Sequence, residues 1–161
     1  MAPARCTLLV TSAGRRVELI NCFRSSAAAL GLDLTVIATD LEPPLSAACQ
    51  VADRSYATPR CTTPECLERL LEICAADAID LLVPTIDTEL EPLAGAAARF
   101  RALGTEVSIA APALVALCRD KLQTAASLAE HGIPVPRSGT LDEALAADRA
   151  AAWRQQLDRH P

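Results

Sequence analysis

Aromatic side chains and positive charge are both scarce in this sequence of 161 residues. Phe, Trp and Tyr make up 2% of the chain, too few to form the row of base-stacking side chains found in proteins that bind single-stranded nucleic acid. Acidic residues outnumber Lys and Arg, which leaves a net charge of -5 and an isoelectric point near 5.0. That charge repels a phosphate backbone. We therefore expect no nucleic-acid partner.

Long uncharged stretches are also missing. The apolar run at residues 8–10 is too short for the core of a signal peptide, and no stretch approaches the roughly 20 apolar residues that cross a bilayer. Hydrophobic residues make up 51% of the chain and charged residues 22%, which is typical of a globular domain. The sequence thus predicts a cytoplasmic protein with no membrane partner.

The seven cysteines include no Cys-x-x-Cys pair. Their spacing argues against a zinc site, and their odd number argues against a disulfide framework. We expect most of them to be reduced and to fill small apolar spaces on buried faces. Cys61 and Cys66 form the only pair worth testing for a metal or redox role. No Ser or Cys has a His at a spacing that suggests a nucleophile and its base, so we predict no metal ligands and no catalytic residues.

Five short apolar runs alternate with amphipathic helices. The predicted strands cover residues 6–10, 34–38, 55–57, 81–83 and 107–110. The first helix begins near Val17 and ends at Gly31, the second begins at Thr63, and the third runs from Thr88 to Gly104. Alternation of this kind predicts an α/β fold with a doubly wound parallel sheet of five strands. The right-handed crossover rule gives the spatial order 3-2-1-4-5.

The pattern changes after residue 111. Two short helices without an intervening strand are followed by the extended, proline-punctuated stretch "IPVPRSG", and residues 141–159 indicate one or two alanine-rich helices. We therefore divide the chain into a sheet domain over residues 1–111 and a helical extension over residues 112–161. Because the last helix has no further strand to pack on, we expect the chain to be the front part of a longer protein.

The topology also predicts where a ligand binds. In a doubly wound sheet the site lies beyond the carboxyl ends of the strands where the strand order reverses, here between the first and fourth strands. Polar loops follow both of those strands and the second strand. The candidate substrate-binding residues are Ser12, Gly14, Arg15, Arg16, Asp40, Asp87, Thr88 and Glu89.

Two explanations remain open for the adjacent Arg15 and Arg16. Cations at a helix N-terminus oppose the helix dipole by a few tenths of a kcal/mol, so a negative group should compensate them. Glu18, Asp87 and Glu89 could do so in a structural ion network. Alternatively, the cluster is a mixed-charge pocket for a zwitterionic or carboxylate substrate.

A dinucleotide site is a poorer explanation of the same turn. The segment "TSAGRR" carries one glycine, whereas a dinucleotide-binding turn uses three to let the pyrophosphate approach. Asp40 ends the second strand, where dinucleotide binders place a ribose-binding acid. Without the other glycines, we expect neither a nicotinamide nor a flavin cofactor.

Four segments together resemble the N-terminal region of ATP-grasp proteins similar to the carbamoyl-phosphate synthase large chain. They are "LLVTSAGRRVELI", "VIATDLEPP", "LLVPTIDTELEPLA" and "CRDKLQTAASLAEHGIPVPRS", in this order and spacing. The resemblance implies a Rossmann-like pre-ATP-grasp domain that lines part of the acceptor-substrate site. It also implies that residues 112–161 connect to, and begin, an ATP-grasp domain, and that Lys121 is the first phosphate-contacting lysine.

The resemblance further implies a function. ATP-grasp ligases activate a carboxylate as an acyl phosphate, which an amine then attacks, and lysines and Mg²⁺ stabilise the phosphates. Relatives continue after a His-Pro pair like His160 and Pro161 into a second lysine, a glycine-rich flap and magnesium ligands. ATP and Mg²⁺ are therefore the cofactors of the complete enzyme, and we expect this chain alone to be inactive and to bind neither tightly.

The expected partners are a small carboxylate or amino-acid-like substrate and the ATP-grasp domains; a homodimer is compatible with this interpretation. An alternative is a stand-alone Rossmann-like module that binds a small anionic or nucleotide ligand.

Overall fold

A five-stranded parallel sheet organises the computed structural model, which describes residues 3–145. The strands are β1 (Ala4–Thr11), β2 (Leu32–Asp40), β3 (Arg54–Ala57), β4 (Leu81–Pro84) and β5 (Glu106–Val107). Their order across the sheet is β3-β2-β1-β4-β5, and every neighbouring pair is parallel. The predicted fold class and strand order are confirmed.

Helices connect the strands and continue after the last one. They are α1 (Val17–Leu30), α2 (Ala47–Val51), α3 (Pro64–Asp77), α4 (Asp87–Ala102), α5 (Pro112–Arg119), α6 (Lys121–Glu130) and α7 (Leu141–Leu145), with a 3₁₀ turn at Pro43–Leu45. Gly31 ends α1 with a φ of 68°, as its position predicted. The short α2, which Ser46 caps, was not predicted. Of the helices expected over residues 141–159, everything beyond residue 145 lies outside the described residues.

The sheet is buried on both faces, as parallel sheets are. Successive residues of β1 point to opposite faces, so Leu9 packs in a cluster with residues of α3 and α4, and Leu8 and Val10 pack in a second cluster that includes Ile20 of α1. Phe100 of α4 is fully buried in the first cluster. Burial on both faces explains why the strands are nearly continuous apolar runs.

The pairing of β5 is shorter than the predicted strand over residues 107–110. Leu81 pairs with Glu106 and Leu82 with Val107, and the N–H of Ser108 still donates to the carbonyl oxygen of Leu82 at 2.8 Å. The next hydrogen bond in the ladder would need an N–H group from Pro84, which proline lacks. The ladder therefore stops near Val107.

The cysteines are less uniformly buried than predicted. All seven are free thiols; Cys49, Cys66 and Cys74 are buried, but Cys22 and Cys118 are exposed. The expectation covered most of the cysteines, and Cys22 on α1 and Cys118 on α5 are the two that lie outside it.

Two compact units divide the chain between Val115 and Ala116. The first contains the sheet. In the second, the Asp120 carboxylate accepts hydrogen bonds from the N–H groups of Leu122 and Gln123 at 2.9 and 3.0 Å and so caps α6. The division near residue 111 stays a prediction.

No helix in the described part of the chain has the length and apolar character to cross a membrane.

Candidate functional site

The loops that follow β1 and β4 leave the sheet side by side. The two strands are paired with Val10 opposite Val83 and Thr11 opposite Pro84, so their carboxyl ends lie at one edge. From β1 the sheet continues through β2 to β3 in one direction, and from β4 it continues to β5 in the other. The boundary between β1 and β4 is therefore the point where the strand order reverses. The loops at residues 12–16 and 84–89, which form the two walls of the predicted crevice, therefore lie next to each other.

Glu89 joins the two walls. It lies in the first turn of α4, is 3% exposed, and accepts hydrogen bonds from the hydroxyls of Thr11 at 2.9 Å and Ser12 at 2.6 Å. The backbone N–H of Thr85 also donates to it at 3.4 Å. Burial raises the pKa of the Glu89 carboxyl, although each of these hydrogen bonds opposes that rise. Glu89 is thus a positioned carboxyl at the junction of the two loops.

The same junction holds an unusual backbone conformation. Ser12 has a φ of 46°, in the left-handed region that non-glycine residues seldom adopt. The Thr85 hydroxyl donates to the carbonyl oxygens of Thr11 at 3.0 Å and Ser12 at 2.8 Å. Strained backbone of this kind persists where surrounding contacts hold it, and it is concentrated at functional sites.

Gly14 and Asp40 form the next part of the edge. The Asp40 carboxylate accepts hydrogen bonds from the N–H groups of Gly14 and Leu41, both at 2.8 Å. The carbonyl oxygen of Gly14 accepts from the Ser46 hydroxyl and the Ala48 N–H, both at 3.0 Å. Gly14 also has a positive φ, 50°, which explains the single glycine of this turn. Asp40 therefore shapes the turn after β1.

Arg15 and Arg16 are exposed at the start of α1. Arg16 makes one long hydrogen bond, from Nη2 to the carbonyl oxygen of Thr85 at 3.4 Å. Within residues 3–145, neither arginine forms an ion pair with a carboxylate. The structural ion network with Glu18, Asp87 and Glu89 is therefore not formed, and Glu89 is bonded to hydroxyl and amide groups instead.

Asp87 and Thr88 are exposed in the first turn of α4. A carboxylate at this position stabilises the positive end of the helix. The Thr88 hydroxyl lies 3.1 Å from the Cys61 sulfur, so the loop between β3 and α3 also reaches this edge. Among the predicted site residues, hydrogen bonds join Ser12 to Glu89 and Gly14 to Asp40. Within residues 3–145, the other four lie on the same loops and bond to neither pair; they are Arg15, Arg16, Asp87 and Thr88.

Lys121 belongs to the second compact unit. It is the first residue of α6 and its side chain is exposed. Among the described residues, no group of three or more His, Cys, Asp or Glu side chains is arranged to hold a metal ion.

The predicted site residues omitted the buried threonines at the carboxyl edge. Thr11, Thr39 and Thr58 are all buried at the carboxyl ends of their strands or just beyond. A signal was present, because β1 and β2 each change from apolar residues to threonine at this end, in "LLVT" and "VIAT". The Thr11 hydroxyl has its partner in Glu89, whereas the buried Thr39 hydroxyl has none among the described residues.

A wider open groove begins at the carboxyl end of β3 and follows α3, and its lining includes no residue of the loops after β1 and β4. It is lined in part by Pro59, Glu68 and Glu72. Glu68 pairs with Arg99, and Glu72 pairs with Arg69. Two of its three glutamates are thus paired with arginines, and none of its lining residues has a positive φ, so it is a weaker candidate than the crevice.

Sequence comparison identifies one family. Residues 8–108 match the sequence profile described as "PylC-like, N-terminal domain". This match contains the second half of β1, all of β2 to β5, and all predicted substrate-binding residues of the crevice. Among curated proteins, no sequence matches the chain.

Solved structures resemble the chain in fold. A biotin carboxylase domain of a single-chain bacterial carboxylase superposes with a TM-score of 0.56 at 21% identity, covering 95% of this chain and 34% of that one. The biotin carboxylase domain of Hydrogenobacter thermophilus 2-oxoglutarate carboxylase gives a TM-score of 0.57 at 20% identity, over 93% of this chain and 32% of that one. Rhizobium etli pyruvate carboxylase T882A gives 0.57 at 19% identity, over 92% and 14%. The chain thus spans about a third of the biotin carboxylase domains that it matches.

Proposed function

Because the chain belongs to the family of PylC-like N-terminal domains, we propose that it is the substrate-side domain of an ATP-grasp ligase that joins a carboxylate to an amine. Family membership, together with the fold shared with biotin carboxylase, identifies it as a Rossmann-like pre-ATP-grasp region. The resemblance predicted from the sequence is confirmed at that level. The finer likeness to the carbamoyl-phosphate synthase large chain stays a prediction.

One observation carries the proposal: the charges at the crevice are arranged so that the arginines remain available. Glu89 is bonded to Thr11, Ser12 and Thr85. Arg15 and Arg16 are exposed and form no ion pair in the part of the chain that the structure describes. Guanidinium groups bind carboxylates through charge-assisted, often bidentate hydrogen bonds. They therefore suit a carboxylate or amino-acid-like substrate.

In this proposal the domain binds and orients the carboxylate substrate, and the rest of the ligase activates that carboxylate. Bound ATP supplies the phosphoryl group that turns a carboxylate into an acyl phosphate. Lys121, exposed at the start of α6, is proposed as one phosphate contact. Residues 3–145 do not fit a magnesium centre, since they bring together no cluster of three or more potential ligands; the proposal places magnesium ligands in the remaining domains.

The same arginines support the alternative, a module that binds a small anion or nucleotide without catalysis. In that case a ligand would bind at the N-terminus of α1, where the helix dipole and both cations favour negative charge. Kinetics of the complete ligase distinguish the two functions, because the alternative gives no ATP-dependent turnover with any acceptor.

The test is Arg15→Ala and Arg16→Ala in the full-length protein, assayed by ADP release with a panel of carboxylates and amino acids. Loss of a charge-assisted pair worth roughly 1.5 to 3 kcal/mol raises KM for the acceptor by about 10- to 100-fold. The KM for ATP should stay unchanged. Arg5→Ala is the matched control, because Arg5 is exposed at the opposite, amino end of β1.

Two results would contradict the proposal. No turnover with any acceptor would favour the anion-binding module. An unchanged acceptor KM, accompanied by a lower melting temperature in the Arg15 or Arg16 variants, would mean that these side chains stabilise the fold instead of binding substrate.

A further inference from the structure

Two cysteines line one small cavity at the carboxyl edge. Cys61 lies in the loop between β3 and α3, and Cys66 lies in the first turn of α3. Both border a cavity between α3 and α4 that also contacts Glu89 and Leu93. We propose that Cys61 and Cys66 are a redox pair that closes to a disulfide when a peroxide oxidises the protein.

The backbone between the two cysteines turns back on itself. The N–H of Thr63 donates to the carbonyl oxygen of Arg60 at 2.9 Å, and the N–H of Cys66 donates to the carbonyl oxygen of Thr63 at 3.1 Å. Two successive turns thus cover the stretch from Arg60 to Cys66. An extended chain over the same stretch would separate the sulfurs, whereas these turns direct both towards one cavity.

The two thiols differ in exposure, which assigns them different roles. Cys61 is partly exposed, and its sulfur lies 3.1 Å from the Thr88 hydroxyl. Cys66 is 4% exposed. Burial raises the pKa of the Cys66 thiol to about 11, with smaller contributions from Glu89 and Cys61. A buried thiol of this kind is shielded from oxidants in solution. Cys61 is therefore the thiol that meets peroxide, and Cys66 is the thiol that resolves the product.

The reaction is balanced with hydrogen peroxide as the oxidant. The Cys61 sulfur attacks one peroxide oxygen, the O–O bond breaks, and the products are a sulfenic acid on Cys61 and one water. The Cys66 sulfur then attacks the Cys61 sulfur, the S–S bond forms, and the leaving hydroxyl takes the Cys66 proton as a second water. The two thiols lose two hydrogen atoms in total, and the peroxide is reduced.

Disulfide formation also changes a contact at the crevice. The Cys61 sulfur would exchange its contact with Thr88, the residue before Glu89, for a bond to Cys66. Oxidation therefore alters the start of α4. This inference concerns the thiols alone and does not depend on the proposed function.

The test uses the 161-residue chain with Cys22→Ser and Cys118→Ser, which removes the two exposed thiols. The folded protein is treated with stoichiometric hydrogen peroxide, unfolded, alkylated and analysed by mass spectrometry without reduction. Relative to untreated protein alkylated in the same way, we expect a mass loss equal to two alkyl groups plus two hydrogen atoms, a cross-linked peptide joining Cys61 to Cys66, and full reversal by dithiothreitol. The thiols of Cys6 and Cys74 should remain available to alkylation.

Two further variants separate the roles. Cys66→Ala should trap the sulfenic acid on Cys61, so that dimedone labelling of Cys61 rises at least tenfold over the parent. Cys61→Ser, a change at a partly exposed position, should abolish both the mass loss and the labelling. Free Cys61 and Cys66 after peroxide, oxidation of Cys61 to sulfinic acid with Cys66 still free, or a bond from Cys61 to another cysteine would overturn the proposal.

Discussion

Glu89 is a buried carboxyl whose hydrogen-bond donors are all neutral. They are the hydroxyls of Thr11 and Ser12 and the backbone N–H groups of Thr85 and Ile86. Because no cation pairs with it among the described residues, the donors offset the loss of hydration only in part, and burial keeps its pKa above the ordinary value of 4.5. The protein therefore binds the proton of Glu89 more tightly when folded than when unfolded.

This difference makes a pH prediction for Glu89→Gln. The carboxyl contributes its full stability below its unfolded pKa, and that contribution is lost as the pH rises through the raised pKa of the folded state. Glutamine has a similar shape and stays neutral. We expect the free energy of unfolding of the variant, relative to the wild type, to increase over a pH range that begins near the ordinary value of 4.5 and ends above the raised pKa of the folded state. Urea denaturation across that range measures it.

Glu18→Gln is the matched control. Glu18 is exposed in the first turn of α1, near the same edge, so its substitution makes the same chemical change without removing a buried carboxyl. A Glu89→Gln curve that runs parallel to the wild type throughout would mean that the Glu89 carboxyl titrates as it does in the unfolded chain.

At the scale of elements, α3 ends in a conformation that its sequence does not favour. Ala78 follows the last residue of the helix with a φ of 49° and ψ of 57°, and its N–H donates to the carbonyl oxygen of Cys74. This is the left-handed cap for which glycine is preferred. The equivalent cap of α1 is Gly31. In the left-handed conformation the Cβ atom of alanine lies too close to the backbone carbonyl oxygen, whereas glycine has no Cβ, so the cap is strained.

Ala78→Gly should therefore stabilise the protein by about 0.5 to 1 kcal/mol, since relief of the left-handed strain exceeds the entropy that glycine adds to the unfolded chain. Ala75→Gly is the control: Ala75 is exposed within the same helix, and glycine there should cost about 1 kcal/mol. Chemical denaturation of both variants gives the comparison. Equal destabilisation by the two would show that the left-handed cap stores no strain.

At the scale of the whole molecule, the candidate crevice residues and Lys121 belong to different compact units. In the sheet domain the left-handed Ser12 and the buried Glu89 lie at the carboxyl edge, whereas Lys121 lies in the second compact unit with its side chain exposed. A single exposed ion pair contributes about 0 to 1 kcal/mol, and micromolar affinity requires about 8 kcal/mol. Lys121 alone cannot supply tight nucleotide binding.

We therefore predict that the 161-residue chain binds magnesium-ATP with a dissociation constant in the millimolar range or weaker, which means less than about 4 kcal/mol of binding free energy. Isothermal titration calorimetry measures it, and phosphate release should not exceed that of a buffer blank. Lys121→Ala serves as the comparison, with heats indistinguishable from the parent. Micromolar binding that Lys121→Ala abolishes would place a complete nucleotide site within these residues.

Much of the fold could be predicted from the sequence because its signals are local. The apolar run before Gly14, the amphipathic stripe from Val17, and the glycine at position 31 each act within a few residues. The alternation of strands and helices, together with the right-handed crossover rule, then allows few topologies. The strand order could therefore be predicted. The short α2 and the early end of β5 were missed, since one depends on a cap at Ser46 and the other on the missing N–H of Pro84.

The sequence by itself determined which polar residues share the carboxyl edge, because parallel strands place their following loops together. It could not determine their partners. Glu89 bonds with Thr11 and Ser12, which precede it by 78 and 77 residues, and only the packing of α4 against the sheet decides that these hydroxyls lie closer than the Arg15 and Arg16 guanidiniums. Whether two groups form a hydrogen bond or an ion pair depends on differences of a few tenths of an ångström in the distance between them. Those distances are a property of the packed tertiary structure, and they left the two arginines without a carboxylate among residues 3–145.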